Sequence, residues 1–144
     1  MAKSVRLQVI TPSKLFYEGE VNLVIVKTLT GEEGFMAKHS WACKLLDVGA
    51  LWIQEAGSKE FIEAAVSGGF IDVKDDIIIY TDAAEWSTDI DTERARNARA
   101  LAEQWLSEHD ASEESQDNIV LAKADLQKQI VRMNVATAGG KRRK

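Results

Sequence analysis

The sequence predicts an α+β protein: an N-terminal antiparallel β-sandwich followed by a C-terminal antiparallel two-helix hairpin. Two observations carry this. Before Thr81 the apolar residues mostly alternate, the period of a half-buried strand; after Asp89 they recur every three or four residues, the period of a one-sided helix. Turn signals recur roughly every ten residues in the first part, the spacing of short strands in a sandwich or barrel. The chain divides accordingly into residues 1–86, 87–138 and a basic tail, 139–144.

Val5, Leu7 and Val9 alternate with Arg6 and Gln8, giving a first strand. Pro12, the only proline, stands just past it, where a missing N–H costs little. Val21 to Thr28 is a β-branched run. Ala50–Glu55 and Lys59–Val66 flank the hairpin turn Ala56-Gly57-Ser58. Gly69–Val73 and Ile77–Thr81 flank a second turn, Lys74-Asp75-Asp76. Ser67-Gly68-Gly69, between strands, reads as a bulge or a close backbone approach.

Thr88-x-x-Asp91 has the form of a capping box, and Glu93 suits the positive end of a helix. Ile90, Ala98, Leu101, Ala102 and Trp105 then follow helical spacing to about Glu108. His109-Asp110-Ala111-Ser112 is a polar connector, and Ser112-x-x-Ser115 opens a second helix. Its stripe is Ile119, Ala122, Leu126, Ile130 and Met133, and Gly139-Gly140 stops it. Both stripes are narrow and alanine-rich, so the hairpin is expected to be marginally held and able to move relative to the sandwich.

The 144 residues are 45% hydrophobic, the composition of a folded chain rather than a disordered one. The net charge of −5 is uneven: from Asn118 onward it is +6, and the rest carries −11. Such a basic end suits an acidic partner or a solvated helix face. One cysteine, Cys43, excludes an intrachain disulfide, and a buried inert thiol is its default role. The start lacks the apolar core of a signal peptide, and no apolar run reaches membrane-spanning length, so membrane attachment is expected only through partners.

Enzyme signatures are absent. His39 and His109 fall in different modules with no metal-ligand spacing, and structural or surface roles outweigh ligation. There is no glycine-rich phosphate loop. Trp86 and Trp105 read as packing anchors, and Lys141-Arg142-Arg143-Lys144 is a weak nucleic-acid signal. On residues alone, a free-standing β-sandwich adaptor or ligand-binding protein with a helical interaction hairpin fits.

Several segments together are more specific: Leu7-Gln8-Val9-Ile10-Thr11-Pro12, Gly19-Glu20-Val21, Val66-Ser67-Gly68-Gly69-Phe70-Ile71-Asp72-Val73, Asp82-Ala83-Ala84-Glu85, Asp89-Ile90-Asp91-x-x-Arg94-Ala95 and Arg132-Met133-Asn134-Val135-Ala136. In this order, from Val5 to about Ala136, the chain resembles the epsilon subunit of F-type ATP synthases, the mitochondrial delta equivalent. One stretch departs from the family pattern: the proline expected before His39 is missing from Gly34-Phe35-Met36-Ala37-Lys38-His39, and the apolar run that follows is altered.

The resemblance implies a non-catalytic central-stalk subunit with no metal and no required cofactor. Its sandwich binds the gamma subunit and the c-ring, with Glu32, Glu33 and His39 in the loop Thr30–Ser40 as the ring- or gamma-facing candidates. Its hairpin lies against the sandwich or extends into the catalytic head, where it blocks ATP hydrolysis; Lys123, Lys128 and Arg132 then face an acidic motif of the catalytic beta subunit. ATP is implied as a regulatory ligand of the folded-down state, held by Glu85, Ile90, Asp91, Arg94, Ala95, Lys128 and Arg132. Lys128 stands where the family places an arginine and lacks its bidentate fork, which implies weaker binding. The alternative role of Asp91 and Arg94 is only to cap and pair at the helix start. The implied location is peripheral, on the cytoplasmic side of a bacterial membrane.

Overall fold

In the computed structural model, residues 3–109 and 116–138 are described. The strands are β1 (Val5–Ile10), β2 (Leu15–Thr28), β3 (Gly31–Phe35), β4 (Ala42–Glu55), β5 (Ile62–Val73), β6 (Ile77–Tyr80) and β7 (Ala84–Trp86). A single 3-10 turn, Ser87–Asp89, leads to α1 (Thr92–His109) and α2 (Gln116–Ala138). The strand order is β1-β6-β5-β4-β2-β3, with β7 added to β5. Because β1 also pairs with β2, the sheet closes on itself as a flattened, barrel-like sandwich. Closure makes one pairing parallel, β1 with β6; the other ladders are antiparallel.

The strands are longer than the turn spacing predicts. β2 and β4 each run 14 residues and β5 runs 12, so one strand serves both layers. Ser67-Gly68-Gly69 bends β5 without ending it, because Gly68 and Gly69 take φ of 97° and 122°. A Cβ on Gly69 would stand 1.9 Å from the Tyr80 carbonyl oxygen. The close backbone approach expected there is therefore real, and only glycine permits it. The Ala56-Gly57-Ser58 and Lys74-Asp75-Asp76 turns join β4 to β5 and β5 to β6. The alternating faces of β1, β2, β5 and β6 deliver Leu7, Val9, Val24, Val26, Ile71, Val73, Ile77 and Ile79 to one core, all almost wholly buried.

Four local expectations change. Glu32 and Glu33 lie on a strand, β3, rather than in a loop; pairing with β2 overrides the poor strand propensity of Gly31-Glu32-Glu33-Gly34. Cys43 is exposed, because β4 begins at Ala42 and turns that side chain outward. Asp91, not Thr88, caps the helix: its Oδ1 accepts the Arg94 N–H at 3.0 Å, and α1 starts at Thr92. Leu101 faces solvent at 67% exposure, while Ala95 takes the buried place on α1. The His109–Ser112 connector, the Ser112–Ser115 start and the Gly139–Lys144 segment lie outside the described residues, and the side chain of His109 is likewise outside them.

The predicted α2 stripe of Ile119, Ala122, Leu126, Ile130 and Met133 is buried or half-buried. A second stripe was not anticipated: Val131 and Val135 pack with Ile90 and with Ala65 of β5, beside Val48 and Ala50 of β4. Because α2 lies between α1 and the sheet, it needs two apolar sides. The docking cluster is small beside the sandwich core.

Candidate functional site

The joint between the two modules is built from the sheet outward. Ala84–Trp86 pairs with Ala64–Val66, extending the sheet by a short strand. Trp86 then stacks on Phe16, with centroids 4.4 Å apart, and meets Tyr17 edge-on at 5.9 Å. Tyr17 donates its hydroxyl to Glu55 at 2.8 Å. Burial, and then the Glu55 carboxylate, push the Tyr17 phenol far above its ordinary range. This aromatic group fixes where the sandwich ends, as expected for Trp86 as a packing anchor. Trp105 is half-buried in the groove between α1 and α2.

Immediately before that anchor, Glu85 faces α2 across a cleft of about 230 Å³ lined by Ser67, Ala83, Lys128, Gln129 and Arg132. Arg132 closes it. Its Nε donates to Glu85 Oε1 at 2.7 Å and its Nη2 to Oε2 at 3.1 Å, a two-pronged pair. Its Nη1 donates to Gln129 Oε1 at 2.7 Å. The Arg132 side chain is 19% exposed and that of Glu85 35%, so water only partly screens the pair. This ion pair joins the sandwich to α2.

Of the residues that the resemblance suggests for a nucleotide, Glu85, Lys128 and Arg132 share this cleft. Ile90 and Ala95 are buried beneath the start of α1. Asp91 is engaged in the helix cap, and Arg94 is exposed beside it. Lys123 lies exposed on α2. Glu33 is held by Lys44 at 2.6 and 2.8 Å, Glu32 is exposed on β3, and the His39 ring packs 4.7 Å from Phe35 with Nδ1 2.7 Å from the Ser40 carbonyl oxygen. These three therefore spread along β3 and its exit rather than forming one cluster. Sequence reading missed Gln129, which orients Arg132; its position three residues earlier on the helix was the available signal.

A surface feature was also missed. Leu45, Phe70 and Tyr80 stand side by side on β4, β5 and β6, exposed at 62%, 38% and 37%. The Phe70 and Tyr80 rings stack at 4.7 Å. Their outward places follow from the same alternation that buries Ile71 and Ile79. No cluster of metal-ligating side chains occurs among the described residues.

Fold and site together define a two-part protein: a closed β-sandwich with an apolar outer row, and a helical hairpin latched to it. Residues 4–87 match the family model described as ATP synthase, Delta/Epsilon chain, beta-sandwich domain. The ATP synthase epsilon chain of Shouchella clausii is 41% identical over 138 residues, covering 95% of this chain and 98% of that one. That of Alkaliphilus oremlandii is 42% identical over 108 residues, 74% of this chain and 79% of its own. The fold also matches a chain of the Euglena gracilis mitochondrial ATP synthase OSCP/F1/c-ring structure, with a TM-score of 0.77 at 21% identity, covering 93% of this chain and 81% of that one. The chain belongs to the ATP synthase delta/epsilon family and is, like its epsilon-chain relatives, a non-catalytic member of that complex.

Proposed function

We propose that this chain is a central-stalk subunit that couples gamma to the c-ring through its sandwich and restrains ATP hydrolysis through its hairpin. The observation that carries the reading is the latch: two helices are held to the sheet by a small apolar cluster and one two-pronged ion pair. Such a contact can be exchanged for another without unfolding the sandwich, whose core is separate. Once released, Arg132 joins Lys123 and Lys128 as cations on α2 available to an acidic surface of the beta subunit. The Leu45–Phe70–Tyr80 row is an apolar face for a partner that stays bound. The proposed location follows from the proposed partners: peripheral, on the cytoplasmic side of a bacterial membrane. No helix among the described residues is long and apolar enough to cross one.

ATP fits the same latch as a regulatory ligand, but the Arg132 fork is already engaged by Glu85 and Gln129, and Lys128 offers only a point charge. Binding therefore requires exchange of partners and is expected to be weak. Isothermal titration of the isolated chain checks it; no heat at millimolar ATP removes the nucleotide from the account. The coupling role is tested by affinity co-purification with gamma and c subunits. The parent chain is expected to retain both, and Phe70→Asp to lose gamma without loss of folding. A chain that retains neither contradicts the proposal.

A further inference from the structure

The sandwich, residues 3–86, carries eight basic side chains. Arg6 pairs with Glu18, Lys27 with Asp47, Lys44 with Glu33 and Lys74 with Asp72. Lys14 lies over the Phe16 ring at 5.8 Å. Lys3, Lys38 and Lys59 remain, and none has a carboxylate partner among the described residues. All three line one cleft of about 540 Å³, with Asn22, Gln54 and Ser58. No acidic side chain lines it, and neighbouring Glu55 is engaged by the Tyr17 hydroxyl.

The backbone adds an independent observation. Lys38 has φ of 67°, the only positive φ at a non-glycine residue among those described. A side chain there is strained, and strain of this kind gathers at binding and switch sites. Three like charges brought to one concavity in a chain of net charge −5 are favoured when an anion sits between them.

We propose that this cleft binds a phosphate-bearing anion, its oxygens accepting hydrogen bonds from the ammonium groups of Lys3, Lys38 and Lys59 and from the Asn22 amide. Lysines are compact charges with rotatable donors, suited to a multiply charged oxyanion; a lone carboxylate is better held by an arginine fork, which this cleft lacks. The anion is free in solution or is the headgroup of a membrane lipid. The site involves no residue of the hairpin and stands apart from the proposed regulation.

The full chain is titrated calorimetrically with inorganic pyrophosphate, and sedimented with phosphatidylcholine vesicles with and without phosphatidylglycerol. Binding of either probe is expected. Binding of the anionic vesicles alone identifies the source as a headgroup; binding of pyrophosphate identifies free phosphate. The Lys38→Gly/Lys59→Gln variant should raise Kd by about tenfold. Lys38→Gly alone should also raise Tm, because glycine relieves the positive φ, so lost binding cannot be ascribed to lost folding. Binding of neither probe, which would leave the cleft to an acidic protein segment, overturns the proposal, as does equal affinity of parent and double variant.

Discussion

Neutralising Glu85 or Arg132 should release the hairpin without unfolding the sandwich. Two charge-assisted bonds, at 2.7 and 3.1 Å, cross from β7 to α2. Hydrogen bonds to charged groups contribute about 1.5–3 kcal/mol each when dry. Here the side chains are 19% and 35% exposed, and solvent lowers the contribution of the pair to about 1–2 kcal/mol. The rest of the dock is Val131, Val135, Ile90 and Ala65, a few apolar side chains opposed by the entropy of ordering two helices. Against so small a margin, 1–2 kcal/mol raises the undocked population by about 5- to 30-fold. Methyl NMR exchange at Val131 and Val135 measures that population directly. Glu85→Gln and Arg132→Gln should each raise it, and the double variant should do little more than either single one, since both remove the same contact. Single variants indistinguishable from the parent, or effects that simply add, would refute the latch.

Two further outcomes follow from the sandwich. Tyr17 is held neutral by burial and by Glu55, with a folded-state pKa above its unfolded value of about 10, so its contribution is intact below that pH and is lost as pH rises through the shifted range. Denaturant midpoints measured against pH should fall above about pH 10, and fall less steeply in Tyr17→Phe; equal slopes would contradict the assignment. Gly69→Ala forces a Cβ to 1.9 Å from the Tyr80 carbonyl oxygen at φ 122°. It should cost at least about 3 kcal/mol, lowering Tm by roughly 10 °C by calorimetry, and an unchanged Tm would contradict the close approach.

Legibility in the sequence varied with the range of the interaction. β1, the turns at Ala56–Ser58 and Lys74–Asp76, and both helices follow from local period and turn chemistry, and all were readable. β3 was not, because Gly31-Glu32-Glu33-Gly34 has little strand character and is held by its β2 partner. β7 was hidden within the joint, being three residues long and defined by pairing with β5. The second stripe of α2 was obscured because a helix packed on two sides loses the single periodic face that reveals it. Glu85 and Arg132 were each singled out through the family resemblance, both as ligands of a nucleotide and Arg132 also as a contact of the beta subunit, and not as partners of each other. Their contact with each other spans 47 residues and depends on how the hairpin docks, which no local pattern records.

The most direct test of the regulatory reading is ATP hydrolysis by the assembled complex carrying either the full chain or one ending at Trp86. The sandwich core lies before that point, so the shortened chain should still assemble. The account predicts faster hydrolysis with the shortened chain. Equal or slower hydrolysis by a fully assembled complex would contradict an inhibitory hairpin.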